Sequence, residues 1–456
     1  MKDNQIAVLG FGKTGQAVLE FVLTHEPGAS VVLFNDAEIA DRERQEFFAK
    51  RGVRFLIGAE KFSELAACRL VILSPGFDGK LPRFSALRMK GVEVISEIEY
   101  AYGLIQARII AVSGSNGKST TVSLIHHVLI HSGRKSILAG NIGFPLIARV
   151  GDIHDDSIVV LELSSFQLEE IVDFRADVAV LLNITPDHMD RYPSMAAYAH
   201  AKYNLFKNQR PADLMVLNAD DPLLHDVKQL GPGKPWWFSS TQAVADGAFL
   251  ESQGISLSIG AEPERISLQC NPLRGIHNLE NIMAATLACR AVGLTPAEIE
   301  SGLKSFQGLP HRMEVVGSVG RVEFINDSKA TNVDAALKSI ASIEGNLVVI
   351  LGGKDKGSDF GGLEKSLAKK ARKILLMGQA APLIAAQLSA LEKKLIHVRD
   401  LNEAVHSGYE ILRQEGGVVL LTPACASFDM FENFEHRGRV FNQEVTMLRG
   451  REMKNG

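Results

Sequence analysis

The chain has 456 residues, 46% of them hydrophobic and 22% charged, with a formal net charge of −4. That length exceeds one ordinary core and predicts three domains at roughly 150 residues each. The slight acidic balance excludes a dedicated nucleic-acid binder, which needs a basic stripe against phosphates.

Four scattered cysteines, Cys68, Cys270, Cys289 and Cys425, have neither a zinc-type spacing nor a disulfide framework, so a reducing cytoplasm is expected. The start, Met1-Lys2-Asp3-Asn4-Gln5, leads into a short strand instead of a cleavable apolar segment, and no stretch approaches a membrane span. A soluble, unprocessed protein without membrane insertion follows as an expectation.

Runs at Gln5 to Leu9, Val31 to Phe34, Leu70 to Leu73 and Val92 to Ile95 alternate with helical patterns and predict a parallel α/β domain. Gly10-Phe11-Gly12-Lys13-Thr14-Gly15 follows the first run and Asp36 the second, imitating a dinucleotide fingerprint. The same turn would hold the diphosphate of any nucleotide conjugate, so an NAD-dependent oxidoreductase and another nucleotide-binding protein both stay open. Ser74-Pro75-Gly76, after the third run, is either a ligand turn at a strand's carboxyl end or a plain loop.

A second set of runs, Arg108 to Val112, Ile158 to Leu163, Val178 to Ile184 and Leu214 to Leu217, predicts a larger central α/β domain. Directly after its first strand stands Gly114-Ser115-Asn116-Gly117-Lys118-Ser119-Thr120. The two glycines permit a tight turn with several N–H groups facing an anion, Lys118 adds a full charge, and Ser119 or Thr120 offers a hydroxyl to magnesium. Read as a shortened phosphate loop, with Val112 where the general pattern has a glycine, it predicts ATP as a substrate; the alternative is a glycine-rich strand-to-helix turn followed by a surface lysine.

Glu162 is a lone carboxylate in the apolar strand Val160-Leu-Glu-Leu-Ser-Ser-Phe-Gln-Leu-Glu169. Burial there is costly without a partner or metal, so it is a magnesium ligand or else an edge-facing glutamate. The next strand ends in Asn183-Ile-Thr-Pro-Asp187-His188-Met-Asp190-Arg191-Tyr192, where His188 is a candidate for a second divalent ion or an ordinary structural histidine. Short alternating pieces between about Ala243 and Leu273 suggest a small antiparallel appendage. On the helix expected near Leu279, Asn278 is either its cap or, with Asn281, a purine contact.

From Gly308 onward, Val322 to Ile325, Asn346 to Leu351, Lys373 to Met377 and Val418 to Thr422 predict a third doubly wound unit. Its strand ends carry Asn326-Asp327-Ser328-Lys329-Ala-Thr331-Asn332 and Gly352-Gly353-Lys354-Asp355-Lys356, while Pro310-His311-Arg312-Met-Glu314 precedes them. An arginine and an aspartate here could grip a nucleotide bound on the preceding domain, making catalysis depend on closure. Thr422-Pro-Ala-Cys-Ala-Ser427-Phe-Asp-Met-Phe431-Glu-Asn-Phe434 could bind a carboxylate or form an ordinary loop.

In this order the strings GSNGKST, LELSSFQLE, DHMDRYP, LPHRMEVV, INDSKATN and TPACASFDMFENFEHRG resemble the Mur ligases, in particular those that add D-glutamate. The first string alone is shared with folylpolyglutamate synthases, a related alternative. The resemblance implies a three-domain α/β architecture: a Rossmann-like domain over 1–98 binding the UDP substrate, a central ATP-binding domain over 99–308, and a Rossmann-like domain over 309–456 binding the amino acid.

It also implies an ADP-forming ligase that joins D-glutamate to UDP-N-acetylmuramoyl-L-alanine through an acyl phosphate, in peptidoglycan synthesis. By position, Gly114 to Thr120 bind ATP, together with Asn278, Asn281, Arg312, Asp327 and Lys329. Ser119 and Glu162 resemble ligands of one magnesium and His188 of a second. Lys202 matches a lysine that the family carries as a carbamate formed with CO2. Thr14, Asp36, Ser74, Gly76, Asn141 and Gln167 resemble UDP-substrate contacts, and Thr331, Lys356, Ser427 and Phe434 a D-glutamate pocket. A cytoplasmic monomer is expected.

Overall fold

The computed structural model describes residues 4–455 apart from 190, 227–229, 253, 261, 269–272 and 274, so Asp190 and Cys270 lie outside the described residues. The chain divides into two compact units. Met1–Ile184, Ala196–Gln269 and Asn281–Leu303 form the first, and Thr185–Met195, Cys270–Glu280 and Lys304–Gly456 the second.

In the first unit β1 (Gln5–Leu9), β2 (Ser30–Asn35), β3 (Arg54–Ile57), β4 (Leu70–Leu73) and β5 (Glu93–Ser96) make a parallel sheet in the order β3-β2-β1-β4-β5. Period-2 alternation sends Ala7 and Leu9 into one cluster with Phe34, Phe62 and Phe84, while Ile6 and Val8 are buried as well. Strands covered on both faces read as continuous apolar runs, which is why they were visible. The order reverses between β1 and β4, so their following loops flank the crevice where such sheets take ligands.

Among the described residues of the same unit, a second sheet holds nine strands. They are β6 (Arg108–Ser113), β7 (Ser136–Gly140), β8 (Ile158–Glu162), β9 (Val178–Leu181), β10 (Leu214–Asn218), β11 (Lys234–Ser239), β12 (Gly247–Glu251), β13 (Gly254–Ser258) and β14 (Glu264–Ser267). Their order is β14-β13-β12-β11-β10-β9-β6-β8-β7. The expected appendage is therefore corrected: β12 pairs in parallel with β11, and β13 and β14 add antiparallel strands to the same sheet. Gly247 permits this, because a Cβ there would stand 1.7 Å from the Trp237 carbonyl oxygen.

The second unit contains β15 (Glu314–Val319), β16 (Val322–Asn326), β17 (Leu347–Gly352), β18 (Ala371–Met377), β19 (Leu395–His397) and β20 (Gly417–Leu421), ordered β15-β16-β20-β17-β18-β19. Only the β15–β16 pair is antiparallel among the described pairings of this sheet. Val349 and Leu351 pack with Ile340 and Ile384 on one face, whereas Val348 and Ile350 pack with Val405, Leu412 and Phe441 on the other. Helices on both faces make the unit doubly wound, as expected. No helix among the described residues is long and apolar enough to cross a membrane.

Candidate active site

The phosphate loop begins where β6 ends. Gly114 (φ 150°) and Gly117 (φ 89°) adopt backbone conformations that side chains resist, and Gly117 precedes the helix Lys118–His131. A Cβ at Gly117 would lie 2.2 Å from Asn281 Oδ1, and Thr121 Oγ1 donates to that oxygen at 3.3 Å. Asn281 is thus packed against the loop.

Asn183, just beyond β9, clasps the loop from the adjacent strand. Its carbonyl accepts from Ser115 N–H at 2.9 Å, its Oδ1 accepts from Asn116 N–H at 2.9 Å, and its Nδ2 donates to Asn116 O at 3.1 Å. Sequence reading counted Asn183 only as part of a ligand-rich string. The available signal was its place at a strand end beside the loop.

Strand register brings Glu162 to the same edge, since β6 and β8 run in parallel with Val112 opposite Glu162. Glu162 is 2% exposed, and its Oε1 accepts from Asn141 Nδ2 at 2.8 Å. Asn141 N–H also donates to Glu162 O at 2.9 Å. Two residues expected to serve different ligands are therefore coupled, with the amide orienting the carboxylate. Lys118 Nζ donates to the carbonyls of Gly114 and Ser115 at 2.7 and 2.9 Å. Lys202, 1% exposed on the helix Met195–Tyr203, donates to Gly114 O at 2.8 Å, with its Nζ 4.7 Å from the Tyr198 ring centroid.

Around β1 and β4, a Cβ at Gly15 would sit 1.8 Å from Gly10 O, which explains the glycine in the first turn. Thr14 lies in the first turn of the helix Lys13–His25. Asp36 is held by Arg83, whose Nη1 and Nη2 reach Oδ1 and Oδ2 at 2.8 Å each. That bidentate bond, more than burial opposes it, draws the Asp36 carboxyl below its ordinary range. Sequence reading missed Arg83, which is far from Asp36 in the chain.

Ser74 and Gln167 line one cleft with Phe77, Glu97, Phe166 and Glu170, while Gly76 is exposed beside it. Gln167 also closes a capping box with Ser164, which fixes its side chain. Glu97 is buried, accepts from Ile147 N–H at 2.8 Å, and is pushed up to about 7 by desolvation. Its neighbour Glu99 accepts from the N–H groups of Val172, Asp173 and Phe174 at 2.8, 2.7 and 3.0 Å. These two carboxylates were also missed; their acceptance of backbone N–H groups far along the chain is a tertiary fact.

The second unit carries the remaining candidates. His188 (φ 56°) has its Nε2 3.6 Å from Asp187 Oδ2. Asp187 also meets Lys356 at 4.0 Å and Asn332 Nδ2 at 3.4 Å. Asn278 is buried inside the first turn of the helix Ile276–Ala291, so it is not the cap. That helix starts three residues before Leu279.

His311 (φ 62°) and Met313 (φ 51°) flank Arg312 in left-handed backbone that non-glycine residues rarely adopt, a strain that clusters at functional sites. Asp327 is buried and raised to about 6 by desolvation, against the lowering effect of hydrogen bonds from Ser339 and Met313 N–H and of the Arg312 charge. Lys329 Nζ stands 3.9 Å from the Phe434 ring centroid, joining an expected phosphate contact to an expected glutamate contact. Ser427 is buried and its carbonyl accepts from Phe431 N–H at 2.9 Å. Thr331 N–H donates to Lys329 O at 2.8 Å.

Among the described residues no group of three or more His, Cys, Asp or Glu side chains is arranged to hold a metal by itself. The oxygen donors at the phosphate loop, the Ser119 hydroxyl and the buried Glu162 carboxylate, fit magnesium, which is commonly bound through one or two carboxylates plus substrate phosphates. Such a metal would supply charge neutralisation at the terminal phosphates.

A glycine-turned phosphate loop between a parallel strand and its helix, with a buried carboxylate on the neighbouring strand, defines a nucleoside-triphosphate-binding α/β protein. Three family descriptions match in order: Mur ligase MurD-like N-terminal domain at residues 4–96, Mur ligase middle domain at 112–289, and Mur ligase glutamate ligase domain at 311–425. The chain belongs to the Mur ligase family.

It is 39% identical to the UDP-N-acetylmuramoylalanine--D-glutamate ligase of Alkaliphilus oremlandii, over 98% of this chain and 99% of that one. Identity is 37% to the enzyme of the same name from Koribacter versatilis, over the whole of both chains. Among solved structures, a pseudomurein peptide ligase type C from Methanothermus fervidus superposes with a TM-score of 0.61 at 17% identity, covering 97% of this chain and 99% of that one. The UDP-N-acetylmuramate-alanine ligase from Thermotoga maritima gives 0.58 at 19%, with the same coverage. Those two share the fold.

Proposed function

We propose that the protein is an ATP-dependent, ADP-forming ligase that adds D-glutamate to UDP-N-acetylmuramoyl-L-alanine in peptidoglycan precursor synthesis. The observation that carries this reading is the meeting of the phosphate loop with Glu162 at one sheet edge and Lys202 at Gly114, in a chain similar along its length to D-glutamate ligases. On this reading residues 1–98 take the UDP end, 99–308 bind ATP and 309–456 bind the amino acid.

The substrate's terminal carboxylate is a poor electrophile until ATP phosphorylates it. Its oxygen attacks the γ-phosphorus and ADP leaves; the D-glutamate amine then adds to the acyl carbon and phosphate departs. The protein's contribution is alignment and charge neutralisation. Gly114 to Thr120 cradle the triphosphate, with Lys118 as its cation. Asn278, Asn281, Arg312, Asp327 and Lys329 serve the rest of ATP. Ser119 and Glu162 would hold one magnesium, and His188 and carbamylated Lys202 would serve a second. Thr14, Asp36, Ser74, Gly76, Asn141 and Gln167 contact the UDP substrate, and Thr331, Lys356, Ser427 and Phe434 form the D-glutamate pocket. The site of action is cytoplasmic and the working form a monomer.

Phosphate release from ATP with UDP-N-acetylmuramoyl-L-alanine tests this, comparing D-glutamate with L-glutamate, lysine-like amino acids and no amino acid. Sustained turnover with D-glutamate alone is expected. Turnover only with a lysine-like amino acid would assign a different Mur ligase step, and hydride transfer to NAD would end the ligase reading.

A further inference from the structure

Arg437 lies near the start of the helix Phe434–Asn455, in the string FENFEHRG, and the reading above gives it no task. It is 1% exposed, and a buried guanidinium must have its donors satisfied inside the protein. Nε donates to Ser328 Oγ at 3.0 Å. Nη1 donates to the carbonyls of Cys425 and Ala426 at 3.2 and 3.4 Å, and Nη2 to those of Ser328 and Cys425 at 2.8 and 3.2 Å. All five N–H donors are engaged, so none is left for a ligand. No acceptor is a carboxylate, and among the described residues Arg437 forms no ion pair.

These acceptors sit on the backbone that carries the pocket. Ser328 Oγ donates onward to Phe434 O at 2.8 Å, tying the loop after β16, which bears Thr331, to the helix start. Ala426 O also accepts from Lys354 N–H at 2.8 Å, and Ala426 N–H returns a bond to Lys354 O at 3.1 Å. The loop after β17, which bears Lys356, is thereby fixed to the loop after β20, which bears Ser427. Contact is close enough that a Cβ on Gly353 would stand 3.1 Å from Nη1 and 2.2 Å from Ala426 O. Four segments meet around one guanidinium.

We propose that Arg437 is the positioning residue of the incoming amino acid's pocket, setting Thr331, Lys356, Ser427 and Phe434 in register through their backbones and lending a buried positive charge to a ligand with two carboxylates. The assignment rests on the reading of those four residues as the D-glutamate site. Arginine is required over lysine because an ammonium has three donors in place of five and cannot span the same carbonyls.

The test is steady-state kinetics of full-length Arg437→Met, Arg437→Lys and Ser328→Ala, varying each substrate with the other two saturating. KM for D-glutamate should rise about hundredfold in Arg437→Met, about tenfold in Arg437→Lys and about threefold in Ser328→Ala, with KM for UDP-N-acetylmuramoyl-L-alanine within about twofold of the parent. A merely structural role lowers the amount of folded enzyme and hence apparent kcat, leaving KM for D-glutamate alone. That pattern overturns the proposal, and Ser328→Ala decides it by itself if the arginine variants do not fold. A parent enzyme that turns over no D-glutamate would instead defeat the functional reading beneath it.

Discussion

Lys118 and Lys202 converge on a single oxygen, the Gly114 carbonyl, at 2.7 and 2.8 Å. Two ammonium groups sharing one acceptor repel, by about 1–4 kcal/mol for unit charges about 4 Å apart depending on the local dielectric. Converting one of them to an anion replaces that repulsion with attraction and creates an oxygen ligand for magnesium. Lys202, on a helix beside the loop, is the one proposed to change: its neutral amine attacks the carbon of CO2 and a proton leaves to solvent.

Replacing Lys202 by alanine should then lower turnover about a thousandfold, a loss on the scale of removing an electrostatic catalytic group. Short carboxylic acids such as acetate should restore part of it by supplying the missing oxygens. Phosphate release measured against acid concentration checks this, and full activity without any additive would remove the carbamate role.

Asn183 supports the phosphate loop without belonging to it. Asn183→Ala removes the bonds to Asn116 N–H and O while leaving the backbone bond to Ser115. The expected result is a rise of about tenfold or more in KM for ATP, from the loss of two part-buried hydrogen bonds worth about 1 kcal/mol each. KM for the UDP substrate should stay near that of the parent. A lowered apparent kcat with KM for ATP unchanged would point to general destabilisation and remove the loop-supporting role.

Glu97 gives a pH-dependent stability with a definite sign. Burial raises its folded-state value to about 7, above the ordinary glutamic acid, so the folded protein holds this proton more tightly than the unfolded chain. Its contribution is fully present below the unfolded value and is lost as pH rises toward and through about 7. Glu97→Gln removes the titration, so its stability relative to the parent should climb between pH 5 and about 7.5, by at most about 3 kcal/mol, and its Tm relative to the parent should climb with it. Thermal melts across that range check it; a constant difference would contradict it.

Arg83 holds both oxygens of Asp36 in place. In Arg83→Ala the carboxylate should lose its fixed direction, and KM for UDP-N-acetylmuramoyl-L-alanine should rise about tenfold, an effect typical of losing a bidentate charged pair. D-glutamate and ATP constants serve as internal controls. An unchanged constant for the UDP substrate would detach Asp36 from its recognition.

Much of this was legible in one dimension. Fully buried parallel strands such as Ile109 to Val112 and Val159 to Leu161 read as apolar runs, and Glu162 stood out within one of them. Among the strands that escaped are β3, β7, β11, β15 and β19: β3 and β19 are too short to display a period, and β11 and β15 carry Pro235 and Gly317 within them.

What the chain's order of residues determined by itself was chemistry that is local: glycines at 114 and 117 with a lysine next to them, a carboxylate inside a strand, a family pattern running from one end to the other. Tertiary structure alone decided which distant groups share an atom: Lys118 with Lys202 at Gly114, Arg83 with Asp36, Arg437 with Ser328, Cys425 and Ala426. The reason is that a turn or a strand is specified by neighbours along the chain, whereas a buried polar group finds its partners only after packing has removed water, and many of those partners are backbone atoms that every residue type carries alike.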